Sequence, residues 1–336
     1  MNLLLENLKN TIEVKKLLNS DNNLYSNNPL SFAFLVSSVF YKSSKNIAII
    51  TSSLYSAQTL YEHISGIIGE ENCLLYPVDE IFHQTNISYS KEMLAQRLFV
   101  MDKCLSNEKK VLIMGVDGAK RFLPNPSIYQ KYTLHLKKDE HYNFNDLTSI
   151  LINMGFLRTN KIDQTLQFAL RGDILDIFPV NSNNPVRIEF FDDQIESIRY
   201  FSIESQTSFQ EINDIKIFPA SDLILDEINL STLNNKLTED LKHLPSEYKD
   251  SLKNTITNII NKINNKDFDE NLYPYFHLLE KEKYSILSYF KHDLVLYYQK
   301  EEIDSFLNFK NEEFSSLINE LYSHGLSLND KDIFNN

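Results

Sequence analysis

Apolar and polar residues alternate along this chain with two different spacings, and the spacing changes near residue 130. In the first part, short apolar runs at 46–50, 73–76 and 111–114 predict buried strands. Between these runs, apolar residues recur every three or four positions at 57–68 and 91–105, which predicts helices. Strands that alternate with helices favour a parallel sheet with covering helices, which is an α/β arrangement.

Beyond residue 130 the spacing is typical of short strands. Alternation at 132–138 predicts a half-buried strand, and the segment 166–201 predicts several strands joined by tight turns. Between them, 146–154 predicts a helix that ends at Gly155. Its inward residues are predicted to be Leu147, Ile150, Leu151 and Met154. This mixture of elements is typical of an α+β domain.

Helical spacing returns from about residue 218. Apolar residues at 252–263 predict one helix, 293–298 predicts a strand, and 300–322 predicts a final helix. The simplest organisation is therefore an α/β domain built from two sequence halves, with a small α+β domain inserted between them. We predict the first part of the α/β domain at 1–130, the inserted domain at 131–217, and a largely helical second part at 218–336.

One predicted strand in the inserted domain has two unlike faces. Period-two alternation puts Val186, Ile188 and Phe190 on one face, which is a core face. The opposite face carries Arg187, Glu189 and Phe191, an aromatic residue among charges. Either a second packed layer covers that face or a partner binds it, and the pattern favours neither.

Length and composition limit the classes of protein to which this chain can belong. The 336 residues are 42% hydrophobic, which is enough for two or three domains with a core. No run of about 18 apolar residues is present, so we expect no membrane contact. The first residues lack the order of a signal peptide, and the two cysteines, Cys73 and Cys104, suggest neither a disulfide nor a zinc site. We therefore expect a cytoplasmic protein.

A net charge of −13 argues against broad contact with a nucleic-acid backbone, although it permits a small positive patch. Catalytic motifs are also lacking. The nearest approach to a phosphate-binding loop, at 115–121, has Ile113 in place of the first glycine and Arg121 in place of the serine or threonine, so it is interpreted as a turn. We find no histidine pair with metal-ligand spacing and no nucleophile motif, and Asp192 and Asp193 fit a hairpin tip. We therefore predict no catalytic, cofactor or metal residues.

A binding surface remains as the candidate functional feature. Arg171, Arg187 and Phe191 would form one patch if their strands were neighbours, since arginine forks onto carboxylates and phenylalanine supplies apolar area. The alternative is that the two arginines pair within the sheet, with Glu189 or Asp173.

Two long segments carry a family resemblance. FALRGDILDIFP at 168–179 and PVRIEFFDDQIESIRYFSIESQTS at 185–208 resemble the segment shared by the bacterial repair protein UvrB and the transcription-repair coupling factors (Mfd). Shorter matches follow in the family's order, so the resemblance covers about residues 30–330. They are LLYPVDE at 74–80, SKEMLAQRL at 90–98, ILINMGFLR at 150–158, INDIKIFPASD at 212–222 and NLYPYFHLLEKEKYSILSYFKHDLVLYYQKEEI at 271–303.

Two departures favour the coupling factors over UvrB. UvrB has a phosphate-binding loop near its start and a long DNA-clamping hairpin after the strand that corresponds to LLYP. Here the loop is missing, and only about fourteen residues separate Pro77 from Lys91, which is too few for that hairpin. The Arg171-Gly172-Asp173 tripeptide is closer to UvrB, but the two absences outweigh it.

The resemblance implies the amino-terminal UvrB-like module of a longer coupling factor, with a degenerate P-loop-type sheet. Implied further along the longer protein are a domain that binds RNA polymerase and a motor that moves on double-stranded DNA with ATP and magnesium. The inserted domain would dock UvrA through Arg171, Arg187 and Phe191, and another part of the protein would mask that surface. The module itself would be non-catalytic, recruiting UvrA to stalled RNA polymerase to start nucleotide excision repair. The alternative is a UvrB-like ATPase that binds damaged DNA.

Overall fold

The computed structural model describes residues 7–18, 28–78, 90–106, 108–222, 224, 227–242, 249–265 and 283–323. Its helices are α1 (Ile12–Leu18), α2 (Pro29–Lys42), α3 (Leu54–Ile68), α4 (Lys91–Cys104), α5 (Val116–Lys120), α6 (Pro126–Tyr132), α7 (Phe144–Asn153), α8 (Glu227–Lys242), α9 (Lys249–Asn264), α10 (Ile286–Tyr289) and α11 (Lys300–Ser323). Its strands are β1 (Ile47–Thr51), β2 (Cys73–Tyr76), β3 (Val111–Gly115), β4 (Leu134–Lys137), β5 (Leu157–Thr159), β6 (Gln167–Arg171), β7 (Ile174–Ile177), β8 (Val186–Phe191), β9 (Gln194–Phe201), β10 (Ser208–Ile212), β11 (Asp214–Ile217) and β12 (Leu294–Tyr297).

A four-stranded parallel sheet forms the body of the molecule. Its strand order is β12-β1-β3-β2, so β12 from the second half of the chain pairs with β1 from the first half. Alternate residues of β1 and β3 belong to different cores. Ile47, Ile49, Val111 and Ile113 pack with α2 and α3, while Ala48, Ile50, Leu112 and Met114 face the opposite side. Both faces are covered, which is why these strands read as unbroken apolar runs.

The inserted segment forms two further sheets. The larger has six strands in the order β10-β9-β8-β7-β6-β5, and every neighbouring pair is antiparallel except β5 and β6. The smaller pairs β4 with β11 in an antiparallel manner. The protein is therefore a mixed α/β protein with a parallel sheet and additional antiparallel sheets, which confirms that part of the predicted fold.

Helix α7 covers the inner face of the six-stranded sheet. Leu147 and Leu151 of this helix and Met154 just after it are buried, and the ring of Phe144 meets that of Phe190 edge-on at 5.3 Å. Ile150 was predicted to face inward, and this was wrong because 36% of the residue is exposed. The buried residues recur at intervals of four and three positions, so a narrow stripe of the helix makes the contact and Ile150 lies beside it.

The inserted sheets and the body share one continuous core. Buried residues of the parallel sheet, such as Met114, and of the inserted strands, such as Ile188 and Ile217, belong to the same apolar cluster. Lys216 on β11 also bonds Asp102 on α4 at 2.7 Å. The predicted limits of the inserted domain, 131 and 217, stay a prediction.

The second half of the chain contributes helices as well as β12. Helices α8 and α9 contact each other, and α9 buries Leu252, Ile256, Ile259 and Ile263 as its predicted spacing requires. Within the ranges that the structure describes, no helix has the length and apolar character needed to cross a membrane.

Candidate functional site

The face of the six-stranded sheet that points away from α7 is called here the outer face. On β8, Val186, Ile188 and Phe190 are buried, whereas 73% of Phe191 is exposed at the end of the strand. Burial along β8 therefore follows the predicted alternation. Arg187, Glu189 and Phe191 lie on the outer face together.

Two tight turns lie at the same end of this sheet. Arg171 pairs with Ile174 across a turn of Gly172 and Asp173, and Phe191 pairs with Gln194 across Asp192 and Asp193. The first central residue of each turn has a positive φ, 59° at Gly172 and 59° at Asp192. Glycine and aspartate tolerate that conformation better than most residues, so the local sequence specifies both turns.

The tip of the second turn carries a hydrogen-bonded pair of side chains. The Nδ1 of His141 lies 2.7 Å from Oδ1 of Asp193, and both side chains are more than half exposed. The hydrogen bond from His141 lowers the pKa of Asp193. Asp192 and Asp193 thus form the hairpin tip that the sequence predicted.

A buried carboxylate connects the two predicted arginines. Asp176 on β7 lies directly opposite Arg187 on β8, and its side chain is 1% exposed. Its Oδ2 accepts hydrogen bonds from Nη2 of Arg171 at 2.5 Å and from Nη2 of Arg187 at 3.0 Å. Its Oδ1 accepts a further bond from Nε of Arg187 at 2.7 Å. We call Arg171, Asp176 and Arg187 the arginine bridge.

Arg187 is held almost entirely within the protein. Besides its two bonds to Asp176, its Nη1 donates to the backbone oxygen of Gln206 at 3.1 Å, and its guanidinium lies 4.7 Å from the ring centroid of Phe201. Only 16% of its side chain is exposed. The hydrogen bond to Asp176 raises the pKa of Arg187, so it is charged throughout the physiological range.

Arg171 and Phe191 lie on the open part of the same face. The side chain of Arg171 is 49% exposed, although Nη2 is tied to Asp176. Arg171 on β6 lies opposite Ile174 on β7, which in turn lies opposite Glu189 on β8. Phe191 is two residues beyond Glu189 along β8. Standard strand spacings then put the Cα atoms of Arg171 and Phe191 roughly 12 Å apart. The three predicted residues therefore share one face.

The two ends of the outer face differ. Beside Arg187, Ile162, Ala169, Phe178 and Phe201 form a small apolar cluster, so a second packed layer covers that end. At the other end, Phe191 and Arg171 face outward. The prediction that the arginines pair with Glu189 or Asp173 was wrong, because both contact Asp176, while Glu189 accepts hydrogen bonds from Arg199 and Ser197.

Asp176 is the residue that sequence reasoning missed. A signal for it was available, since Asp176 is the one polar residue in the predicted apolar stretch ILDIF. A buried carboxylate requires charged partners, so an aspartate at this place indicates a nearby arginine or lysine.

A second surface lies at the carboxyl ends of the parallel strands, where α/β proteins often bind ligands. A shallow groove there is lined by Ser52, Glu301, Glu302, Ser305 and Phe306. Its two carboxylates come from the start of α11. Residues 115–121, the nearest sequence approach to a phosphate loop, include the short helix α5. In the described parts of the chain, no group of three or more histidine, cysteine or acidic residues could hold a metal ion.

Comparison with known proteins gives concordant matches. Residues 134–223, which include both inserted sheets, match the family model described as the UvrB interaction domain. The chain is 28% identical over 253 residues to the transcription-repair-coupling factor of Bacillus subtilis (strain 168), which covers 74% of this chain and 22% of that relative. It is 29% identical over 267 residues to that of Staphylococcus aureus (strain bovine RF122 / ET3-1), which covers 80% and 21%.

The fold and the first match describe a mixed α/β protein in which residues 134–223 are similar to the UvrB interaction domain. The resemblance to the amino-terminal UvrB-like module of the transcription-repair coupling factors is confirmed by these relatives. The chain spans about a fifth of the length of the curated relatives it matches.

Proposed function

We propose that this chain is a non-catalytic recruitment module that binds UvrA through the outer face of its inserted domain. In a longer coupling factor, it would bring UvrA to a stalled RNA polymerase and so start nucleotide excision repair. The match of residues 134–223 to the UvrB interaction domain supports a partner-binding role for this segment. This role would be exercised in the cytoplasm, where RNA polymerase works.

The observation that carries the proposal is the exposure of Phe191 beside a half-exposed arginine. Phe191 is 73% exposed, so its ring offers apolar area that a partner could bury. Arg171 can fork onto a carboxylate of that partner while Phe191 fills an apolar pocket. Such an aromatic anchor flanked by arginine is the usual composition of a binding hot spot.

The body of the molecule supports the non-catalytic part of the proposal. We infer that the parallel sheet is a degenerate P-loop-type sheet, because α3 follows the central strand β1 as a phosphate-binding helix would. However, Glu301 and Glu302 line the groove at that edge, and carboxylates repel phosphate groups. ATP, magnesium and double-stranded DNA would be bound by other parts of the longer protein.

Masking of the outer face is a further part of the proposal. Another domain of the longer protein would cover the exposed Phe191 until the protein engages RNA polymerase. Weaker UvrA binding by this chain than by a full-length coupling factor would contradict masking.

The test is the affinity of the 336-residue chain for purified UvrA, measured by isothermal titration calorimetry. We expect Arg171→Ala and Phe191→Ala each to weaken binding by about tenfold or more, since truncation of a hot-spot residue typically costs about 2 kcal/mol. The double change Arg187→Ala with Phe191→Ala should abolish micromolar binding.

The matched control is Phe209→Ala. Phe209 lies on the edge strand β10 and is 57% exposed, so its removal deletes a similar aromatic group outside the proposed patch. We expect its affinity for UvrA to equal that of the unaltered chain. Equal affinities for Phe191→Ala and Phe209→Ala would reject the outer face as the UvrA site.

A further inference from the structure

The two arginines of the bridge have different surroundings. Three of the five N–H groups of Arg187 donate to acceptors within the chain, two to Asp176 and one to Gln206. Its side chain is 16% exposed, against 49% for Arg171. Arg187 therefore has little donor capacity left for a partner, whereas about half of the Arg171 side chain is exposed to solvent.

Asp176 connects the inner arginine to the outer one. Its carboxylate is 1% exposed and accepts two bonds from Arg187 and one from Arg171, so both guanidiniums are attracted to the same buried charge. Arg187 is itself fixed by Gln206 and by the ring of Phe201. Contacts at the packed end of the outer face therefore restrict the position of Arg171 at the exposed end.

We propose that Asp176 is a positioning residue for UvrA binding, and that Arg187 acts through it rather than by touching UvrA. Asp176 holds the Arg171 guanidinium in one orientation, so that its free N–H groups point to the partner's carboxylate. Fixing a long side chain before association lowers the entropic cost of binding. This inference rests on the proposed function, because it concerns the same surface.

The net charge of the arginine bridge allows a test in which two explanations predict opposite changes in UvrA affinity. Two arginines and one aspartate leave a charge of +1, and Asp176→Asn raises it to +2. If the bridge attracted an acidic partner by charge alone, Asp176→Asn would tighten UvrA binding. If Asp176 positions Arg171, the same change weakens binding, by roughly tenfold as for a hot-spot residue.

A double-mutant cycle separates positioning from a general structural effect. Affinity for UvrA is measured for Asp176→Asn alone, in an Arg171→Ala background and in a Phe191→Ala background. We expect Asp176→Asn to weaken binding in the Phe191→Ala background and to have almost no effect in the Arg171→Ala background, because the group it positions is absent there. A loss of the same size in both backgrounds would overturn the inference.

If Asp176→Asn fails to fold, as judged by circular dichroism, the affinity of Arg187→Lys for UvrA is measured instead. It keeps the charge but cannot make the two-nitrogen fork onto Asp176, so we expect a similar loss of affinity. Unchanged affinity for Arg187→Lys, or unchanged or tighter binding for folded Asp176→Asn, would overturn the inference. If instead Arg171→Ala and Phe191→Ala both bind UvrA normally, it is the proposed function that fails.

Discussion

Asp222 is a second buried carboxylate that contacts two arginines. Its Oδ2 accepts bonds from Nε of Arg97 at 3.1 Å and from Nη2 of Arg121 at 3.0 Å, and all three side chains are at most 7% exposed. Burial by itself raises the pKa of this carboxyl group, but the two guanidiniums outweigh burial, so the pKa of Asp222 is lowered overall. The carboxylate therefore stays charged and ties α4 and the segment after α5 to the end of the inserted segment.

The change Asp222→Asn should lower the free energy of unfolding by about 3–5 kcal/mol, because it removes the buried carboxylate that both guanidiniums contact. Urea denaturation at pH 7 measures this loss. The control is Asp193→Asn, at an exposed pair with His141, which should cost much less because solvent screens that pair. Equal losses for the two variants would contradict the structural role of Asp222.

We expect the stability difference between the unaltered chain and Asp222→Asn to depend on pH. A carboxyl group whose pKa is lowered on folding stabilises the protein above its unfolded pKa, and this contribution is lost as the pH falls through the folded pKa. The stability difference between the unaltered chain and Asp222→Asn should therefore be constant above about pH 5 and shrink below about pH 4. A difference that stays constant down to pH 3 would contradict the lowered pKa.

At the scale of elements, most strands and helices follow from periodicity. The parallel strands, the helix at 54–68 and the hairpins of the inserted domain lie where alternation and turn residues predict them. Helix α2 carried no prediction, because its apolar residues are nearly continuous and show no clear face. Asn28 as N-cap and Pro29 in the first turn were the available signals for it.

Two glycines with positive φ, one in a turn between strands and one just after a helix, have different surroundings. Gly172, at φ 59°, has open space where a Cβ would lie, so substitution there introduces strain alone. Gly155, at φ 89°, follows α7, and a Cβ there would lie 2.6 Å from Cβ of Ser221 and 3.2 Å from its backbone nitrogen. At Gly155 the chain must therefore move as well as adopt an unfavourable conformation.

We expect Gly172→Ala to lower the free energy of unfolding by about 1–2 kcal/mol, the cost of a left-handed conformation for an L-residue. Gly155→Ala should cost clearly more, because the backbone beside the buried Asp222 would have to shift. Thermal and urea unfolding of the two variants compare them directly. The same loss at both positions would show that the close approach to Ser221 contributes nothing.

At the scale of the whole molecule, the groove at the carboxyl edge of the parallel sheet is made by both halves of the chain. Ser52 follows β1, whereas Glu301 and Glu302 belong to α11, beyond the inserted domain. The acidic residues come to the place where a nucleotide's phosphates would lie in a P-loop-type sheet. Tertiary structure thus brings two carboxylates to an edge where a local motif search finds only a missing loop.

Magnesium and ATP at millimolar concentration should leave the melting temperature of the chain unchanged. A nucleotide site occupied at about 100 times its Kd would add about 2.7 kcal/mol of stability and raise the melting temperature by several degrees. Differential scanning fluorimetry with and without nucleotide makes the measurement, with UvrB as the positive control. A reproducible rise of several degrees would favour the alternative, a UvrB-like ATPase.

The sequence by itself determined the order of strands and helices, the alternation of β8 and the residues of the candidate surface. These features depend on contacts between near neighbours in the chain, which periodicity and turn chemistry report directly. Tertiary structure decided which candidate residues are bound within the protein and which are exposed. Arg171, Asp176 and Arg187 lie on three different strands, and only strand pairing reveals that one buried carboxylate joins both arginines. Burial then separates Arg187, packed beneath a loop, from Arg171 and Phe191, which face solvent, because exposure depends on the whole fold.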